Sequence, residues 1–179
     1  MTFHTKQPGI PVPALPLDFS ARLAEASDKD HVRHYLLPGK VFASAQPVAI
    51  TTIVGSSVVL CLWDSLNGVG GAAHFLLPET STNDPRDTKC CNAAGDLLLR
   101  LLLDLGAHSH SLEAKVFGGL QPAVRFANSQ ACLGSRNVDA ALEFLAAKKI
   151  GIVAKEVAGN SGRKVVFNTD DGHSWSESL

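Results

Sequence analysis

Along this chain of 179 residues the apolar positions change period several times, and each change marks an element. Residues 1–17 hold Pro8, Pro11, Pro13 and Pro16 and no apolar repeat, which predicts an extended, flexible arm. After it, Asp18 is placed to cap a short helix carrying Phe19, Leu23 and Ala26, which the polar run at 27–30 would end. Stretches 41–44 and 48–54 are β-branched and bounded by Pro38-Gly39 and Gly55, as strands are. Two further strands are predicted at 57–63 and 70–77, and the turn chemistry of Asp64-Ser65-Leu66-Asn67-Gly68 between them makes the pair a hairpin. A loop rich in Pro, Thr, Ser, Asn and Asp follows at 78–88. Cys90, Ala94, Leu97, Leu98, Leu101, Leu102 and Leu105 then recur at helical spacing before Gly106, a suitable stop. The remaining pattern predicts a strand at 112–117, a helix at 138–148, strands at 150–157 and 164–167, and a short tail after Asp170-Asp171-Gly172.

Helices and strands are mixed without strict alternation, and the hairpin demands antiparallel pairing. The expected fold is therefore α/β (α+β): one domain over 18–179, a layered sandwich whose largely antiparallel or mixed sheet is covered by helices.

Composition narrows the function. Hydrophobic residues make up 45% of the chain and charged residues 18%, which suits a compact domain and excludes disorder. Lys plus Arg number 16 against 17 for Asp plus Glu, so nothing points to a nucleic-acid partner or an anionic membrane. The long uncharged stretch at 41–63 is broken by Gln46, Pro47, Thr51, Thr52, Gly55, Ser56 and Ser57, and membrane insertion is not expected. Met1-Thr2-Phe3-His4-Thr5-Lys6 lacks the apolar region of a secretory signal, which makes the cytoplasm the expected location. Cys61, Cys90, Cys91 and Cys132 show no CxxC spacing and are read as reduced thiols filling space. His108-Ser109-His110 lacks a carboxylate or cysteine at ligand spacing, so no metal is expected there.

The hairpin carries the chemistry. One register sets Ser57 opposite His74, and another sets Cys61 there; both are nucleophile and base pairs in principle. A histidine between Ala73 and Phe75 is also an ordinary core residue, and the spacing alone supports only a weak hydrolase reading.

The segment from Thr51 through Gly55-Ser56-Ser57 to Val59, and the segment from Gly70 through His74 to Pro78, resemble the signature of the CheD family of chemoreceptor glutamine deamidases. Three later blocks resemble the family in the same order: Leu112 to Gly119, Leu133-Gly134-Ser135-Arg136-Asn137-Val138, and Gly159 to Lys164. The resemblance implies a three-layer fold and a cysteine amidohydrolase that uses a Cys, a His and a Thr, with no cofactor and no metal. By position the His is His74 and the Thr is Thr51, while Ser57 occupies the place of the nucleophilic Cys.

A cysteine thiol with a pKa of ~8.5 becomes a thiolate far more easily than a serine hydroxyl becomes an alkoxide, so activity is expected to be weak or absent. A deliberate replacement, a natural non-catalytic relative and a working serine variant all fit the sequence. Substrate binding is assigned to Gly55, Ser56, Arg136 and Asn137, although Asn137 is equally placed to cap a helix starting at Val138. The implied partners are methyl-accepting chemoreceptors, with a CheC-type phosphatase as a further one. The alternative function is a non-catalytic module that binds either of them.

Overall fold

The computed structural model describes residues 31–79, 84, 86–121 and 132–179. The arm at 1–17 and the helix expected after Asp18 lie outside the described residues. The described chain runs β1 (Val32–Tyr35), β2 (Lys40–Ser44), β3 (Val48–Val54), β4 (Val58–Asp64), β5 (Val69–Phe75), α1 (Cys91–Asp104), β6 (Leu112–Gly118), α2 (Leu133–Lys148), β7 (Gly151–Val157), β8 (Arg163–Asn168) and β9 (Ser174–Ser178). A single 3-10 turn at Ser109–Ser111 leads into β6.

The strands form two mixed sheets, ordered β2-β5-β4-β6-β7 and β1-β3-β8-β9. Two pairs are parallel, β1 with β3 and β6 with β7, and the latter is joined through α2 as a parallel crossover requires. The layered α+β sandwich expected from the sequence is what forms, with its strand content divided between two sheets.

Alternation along β4 and β5 decides what each face meets. Val58, Leu60, Leu62, Ala73 and Phe75 face the helices and pack with Leu98 and Leu102 of α1 and Ala141 and Leu145 of α2. Val59, Cys61 and Ala72 face the other way, onto Ile50, Val54, Val165 and Phe167 of the four-stranded sheet. Covered on both sides, β5 is buried at every position, which explains its run of small residues. A Cβ on Gly70 would sit 2.6 Å from the Thr169 carbonyl oxygen, so any larger residue would force the turn after β8 away.

Three elements depart from the sequence expectation. Helix α2 begins at Leu133 rather than Val138, because Gly134 lets its first turn lie directly on the backbone of Gly119 and Leu120. The tail after Gly172 is strand β9, paired antiparallel with β8; its Ser-Trp-Ser-Glu-Ser sequence is half-buried up to Glu177, exposed at Ser178, and has no apolar run to mark it. Strand β1 is mostly exposed and was equally unmarked. The uncharged stretch at 41–63 is strand and turn, and no helix among the described residues is long and apolar enough to cross a membrane.

Candidate active site

The β4–β5 register places Val59 opposite His74, between the two registers considered from the sequence. Ser57 lies just before β4, two residues from Val59 and so on the same face, which makes it the diagonal neighbour of His74. Its Oγ is 2.8 Å from His74 Nε2, and both side chains are buried. Cys61 occupies the opposite diagonal and is fully buried; burial pushes its thiol up to about 12, so it is an inert core residue.

The hydroxyl on the other imidazole nitrogen belongs to Thr52, with Oγ1 2.9 Å from His74 Nδ1. Thr51, expected in this role, is corrected by the pleat. Strand β3 buries Val48, Ile50, Thr52 and Val54 and turns Ala49, Thr51 and Ile53 to its outer face. Thr51 contributes instead its carbonyl, which accepts the Leu36 N–H at 2.9 Å and anchors the residue next in the relay.

Hydroxyl bookkeeping assigns the tautomer. Thr52 Oγ1 donates its single proton to the Leu36 carbonyl at 2.8 Å, so it can only accept from His74. His74 therefore carries its proton on Nδ1 and presents the Nε2 lone pair to the Ser57 hydroxyl. The relay Ser57 to His74 to Thr52 to Leu36 is complete, neutral and directional. Burial drives the imidazole down to about 4, the Leu36 carbonyl opposing only part of that shift. His74 is thus a neutral base.

The loop before Ser57 is held by three consecutive carbonyls. Gly55 oxygen accepts from Leu120 N at 2.7 Å, Ser56 oxygen from Asn137 Nδ2 at 2.8 Å, and Ser57 oxygen from Gly119 N at 2.9 Å. Asn137 Nδ2 also donates to the Leu76 carbonyl at 2.9 Å, joining the nucleophile loop to the end of the strand that carries His74. Asn137 is fully buried inside α2, so the expected capping role is corrected: the helix starts earlier, and the amide grips main chain. Glycine is required at 118, where φ is 111° and a Cβ would run into the Ser57 carbonyl.

Gly55 and Ser56 lie at the mouth of this loop, Ser56 exposed. Arg136 is exposed on α2, and no hydrogen bond joins its side chain to the relay among the described residues. The His108-Ser109-His110 segment sits at the other end of β4, where His108 Nδ1 accepts from Asn67 Nδ2 at 2.8 Å and the His108 N–H serves the buried Asp64 carboxylate. Sequence reasoning missed Thr52, the Leu36 carbonyl and the clamp made by Gly119, Leu120 and Asn137. For Thr52 a signal existed: even positions of β3 are the more apolar set, which places residue 52 inside.

A hydroxyl bonded to a neutral imidazole whose second nitrogen is fixed, held here in a two-sheet sandwich, is the arrangement that acyl-transfer chemistry uses. A sequence model described as CheD chemotactic sensory transduction matches residues 76–178. The chain is 38% identical over 141 residues to the probable chemoreceptor glutamine deamidase CheD of Trichlorobacter lovleyi, covering 78% of this chain and 86% of that protein. It is 37% identical over 145 residues to the probable chemoreceptor glutamine deamidase CheD 1 of Anaeromyxobacter dehalogenans, covering 81% and 84%. The chain belongs to the CheD family.

Proposed function

We propose that this protein acts on glutamine side chains of methyl-accepting chemoreceptors in the cytoplasm, through a site that keeps the deamidase frame but turns over slowly with Ser57 as nucleophile. The observation that carries this reading is the relay of Ser57, His74, Thr52 and Leu36 with its tautomer set for base catalysis. In the reaction, Ser57 Oγ attacks the side-chain amide carbon while His74 Nε2 takes the hydroxyl proton. The imidazolium, held in place by Thr52, returns that proton to the departing ammonia. Water, deprotonated by the same nitrogen, then cleaves the acyl-serine ester to leave glutamate and restore Ser57.

The weak point of this cycle is the first proton transfer. An imidazole pushed down to about 4 is a poor acceptor for an alcohol proton, whereas a thiol of ~8.5 loses its proton far more readily. Turnover with Ser57 is therefore slow, and Ser57→Cys raises it. The same mismatch favours a second reading, a module that binds chemoreceptors or a CheC-type phosphatase without turnover.

Cytoplasmic fragments of chemoreceptors, incubated with the protein and with Ser57→Cys, separate the two. Ammonia release with conversion of carboxamide to carboxylate by mass spectrometry, larger for Ser57→Cys, is the expected result. Binding by two folded proteins with no conversion by either overturns the enzymatic reading and leaves the binding module.

A further inference from the structure

The relay supplies a nucleophile and a base, and the anchored loop supplies a third component. A trans peptide unit points its C=O and its N–H in opposite directions, and no peptide bond among the described residues is cis. Asn137 Nδ2 on the Ser56 carbonyl therefore fixes the direction of the Ser57 N–H, the other end of the same peptide plane. Because α2 covers the helix face of the five-stranded sheet, that N–H is turned toward the opposite face, where Ser57 Oγ meets His74. Leu120 N on the Gly55 carbonyl fixes the Ser56 N–H in the same way. Neither the Ser56 nor the Ser57 N–H has a hydrogen-bond partner among the described residues, whereas all three carbonyls of the loop have one. Unpaired main-chain donors beside a nucleophile are the equipment that a tetrahedral oxyanion needs.

Asn137 adds an independent sign. Two carbonyls can only accept, so its NH2 must face them, and its Oδ1 is left buried without a partner among the described residues. A clamp selected for stability alone would avoid that orphan. We propose that the Ser57 N–H, with the Ser56 N–H beside it, forms the oxyanion hole of this site, and that Asn137 is the positioning residue that aims it. The assignment rests on the acyl-transfer reading of Ser57 and His74 but not on the identity of the substrate.

Two reagents separate oxyanion stabilisation from simple access in the Ser57→Cys protein. p-Nitrophenyl acetate acylates the thiol through a tetrahedral oxyanion: the S–C bond forms, His74 takes the thiol proton, and p-nitrophenolate leaves. Iodoacetamide alkylates the same thiol by direct displacement of iodide and forms no oxyanion. Both rates are read at residue 57 by peptide mass mapping, with Asn137→Ala added and with Asn137→Ser as a second variant that keeps more of the buried volume.

Acylation is expected to slow about 10²-fold, the cost of one oxyanion donor. Alkylation is expected to stay within about 3-fold, since the thiol and its base are untouched. Equal slowing of both would reduce Asn137 to a general support of the fold, and unchanged acylation would remove the oxyanion hole; either overturns the proposal. Receptor glutamine conversion is followed in parallel. Selective loss of acylation without any glutamine conversion by Ser57→Cys would sink the deamidase reading while upholding the oxyanion assignment.

Discussion

Thr52→Val tests the relay where structure and family resemblance disagree by one residue. Thr52 is 2% exposed, and its hydroxyl serves two buried groups, the His74 Nδ1–H and the Leu36 carbonyl. Valine keeps the shape and leaves both groups without a partner. Each unsatisfied buried group costs about 1–3 kcal/mol, so the expected loss is about 2–6 kcal/mol in total. Thr51→Val, on the outer face of β3, is expected to change stability by no more than about 0.5 kcal/mol. Urea unfolding followed by Trp63 and Trp175 fluorescence measures both, with the midpoint moving and the slope constant if only stability changes. In the Ser57→Cys background, Thr52→Val should also slow iodoacetamide labelling at residue 57, since the imidazole loses the partner that fixes its tautomer. A Thr51→Val effect equal to or larger than that of Thr52→Val, on either readout, would refute the relay as drawn.

Two further outcomes follow from burial. His74 has a lower pKa folded, about 4, than the ordinary 6.5, so on acidification the unfolded chain takes the proton first. Its contribution is fully present above about pH 6.5, shrinks as the pH falls and is lost once the pH passes about 4, a total of about 3 kcal/mol; His74→Gln should flatten the fall in urea midpoint between about pH 7 and 4.5, and an unchanged slope would count against a buried neutral imidazole. Cys61 and Cys91, both buried with thiols pushed up to about 12, should resist iodoacetamide at about pH 7 until the chain is unfolded. Labelling of either in the native protein at the rate of an open thiol would contradict that burial.

Much of this protein is determined locally. The β-branched runs, the turn at Asp64 to Gly68 and the leucine spacing of α1 locate β2 to β5 and the first described helix, because an element with one clearly apolar face writes its period into the chain. The pairing of Ser57 with His74 was legible for the same reason: a hairpin of odd register keeps both on one face whichever pair lies directly opposite. What the chain could not express locally was left to tertiary packing. Strands β1 and β9 have no clear apolar face, since they lie at sheet edges, and their existence depends on partners distant in sequence. The choice of Thr52 over Thr51 follows from which face of β3 meets the second sheet. Asn137 became a clamp on Ser56 and Leu76 only because α2 starts a turn early and rides on the glycine loop after β6. Side-chain chemistry is fixed by residue type, but donor and acceptor roles are settled by which buried groups the fold brings within reach, and those contacts join residues tens of positions apart.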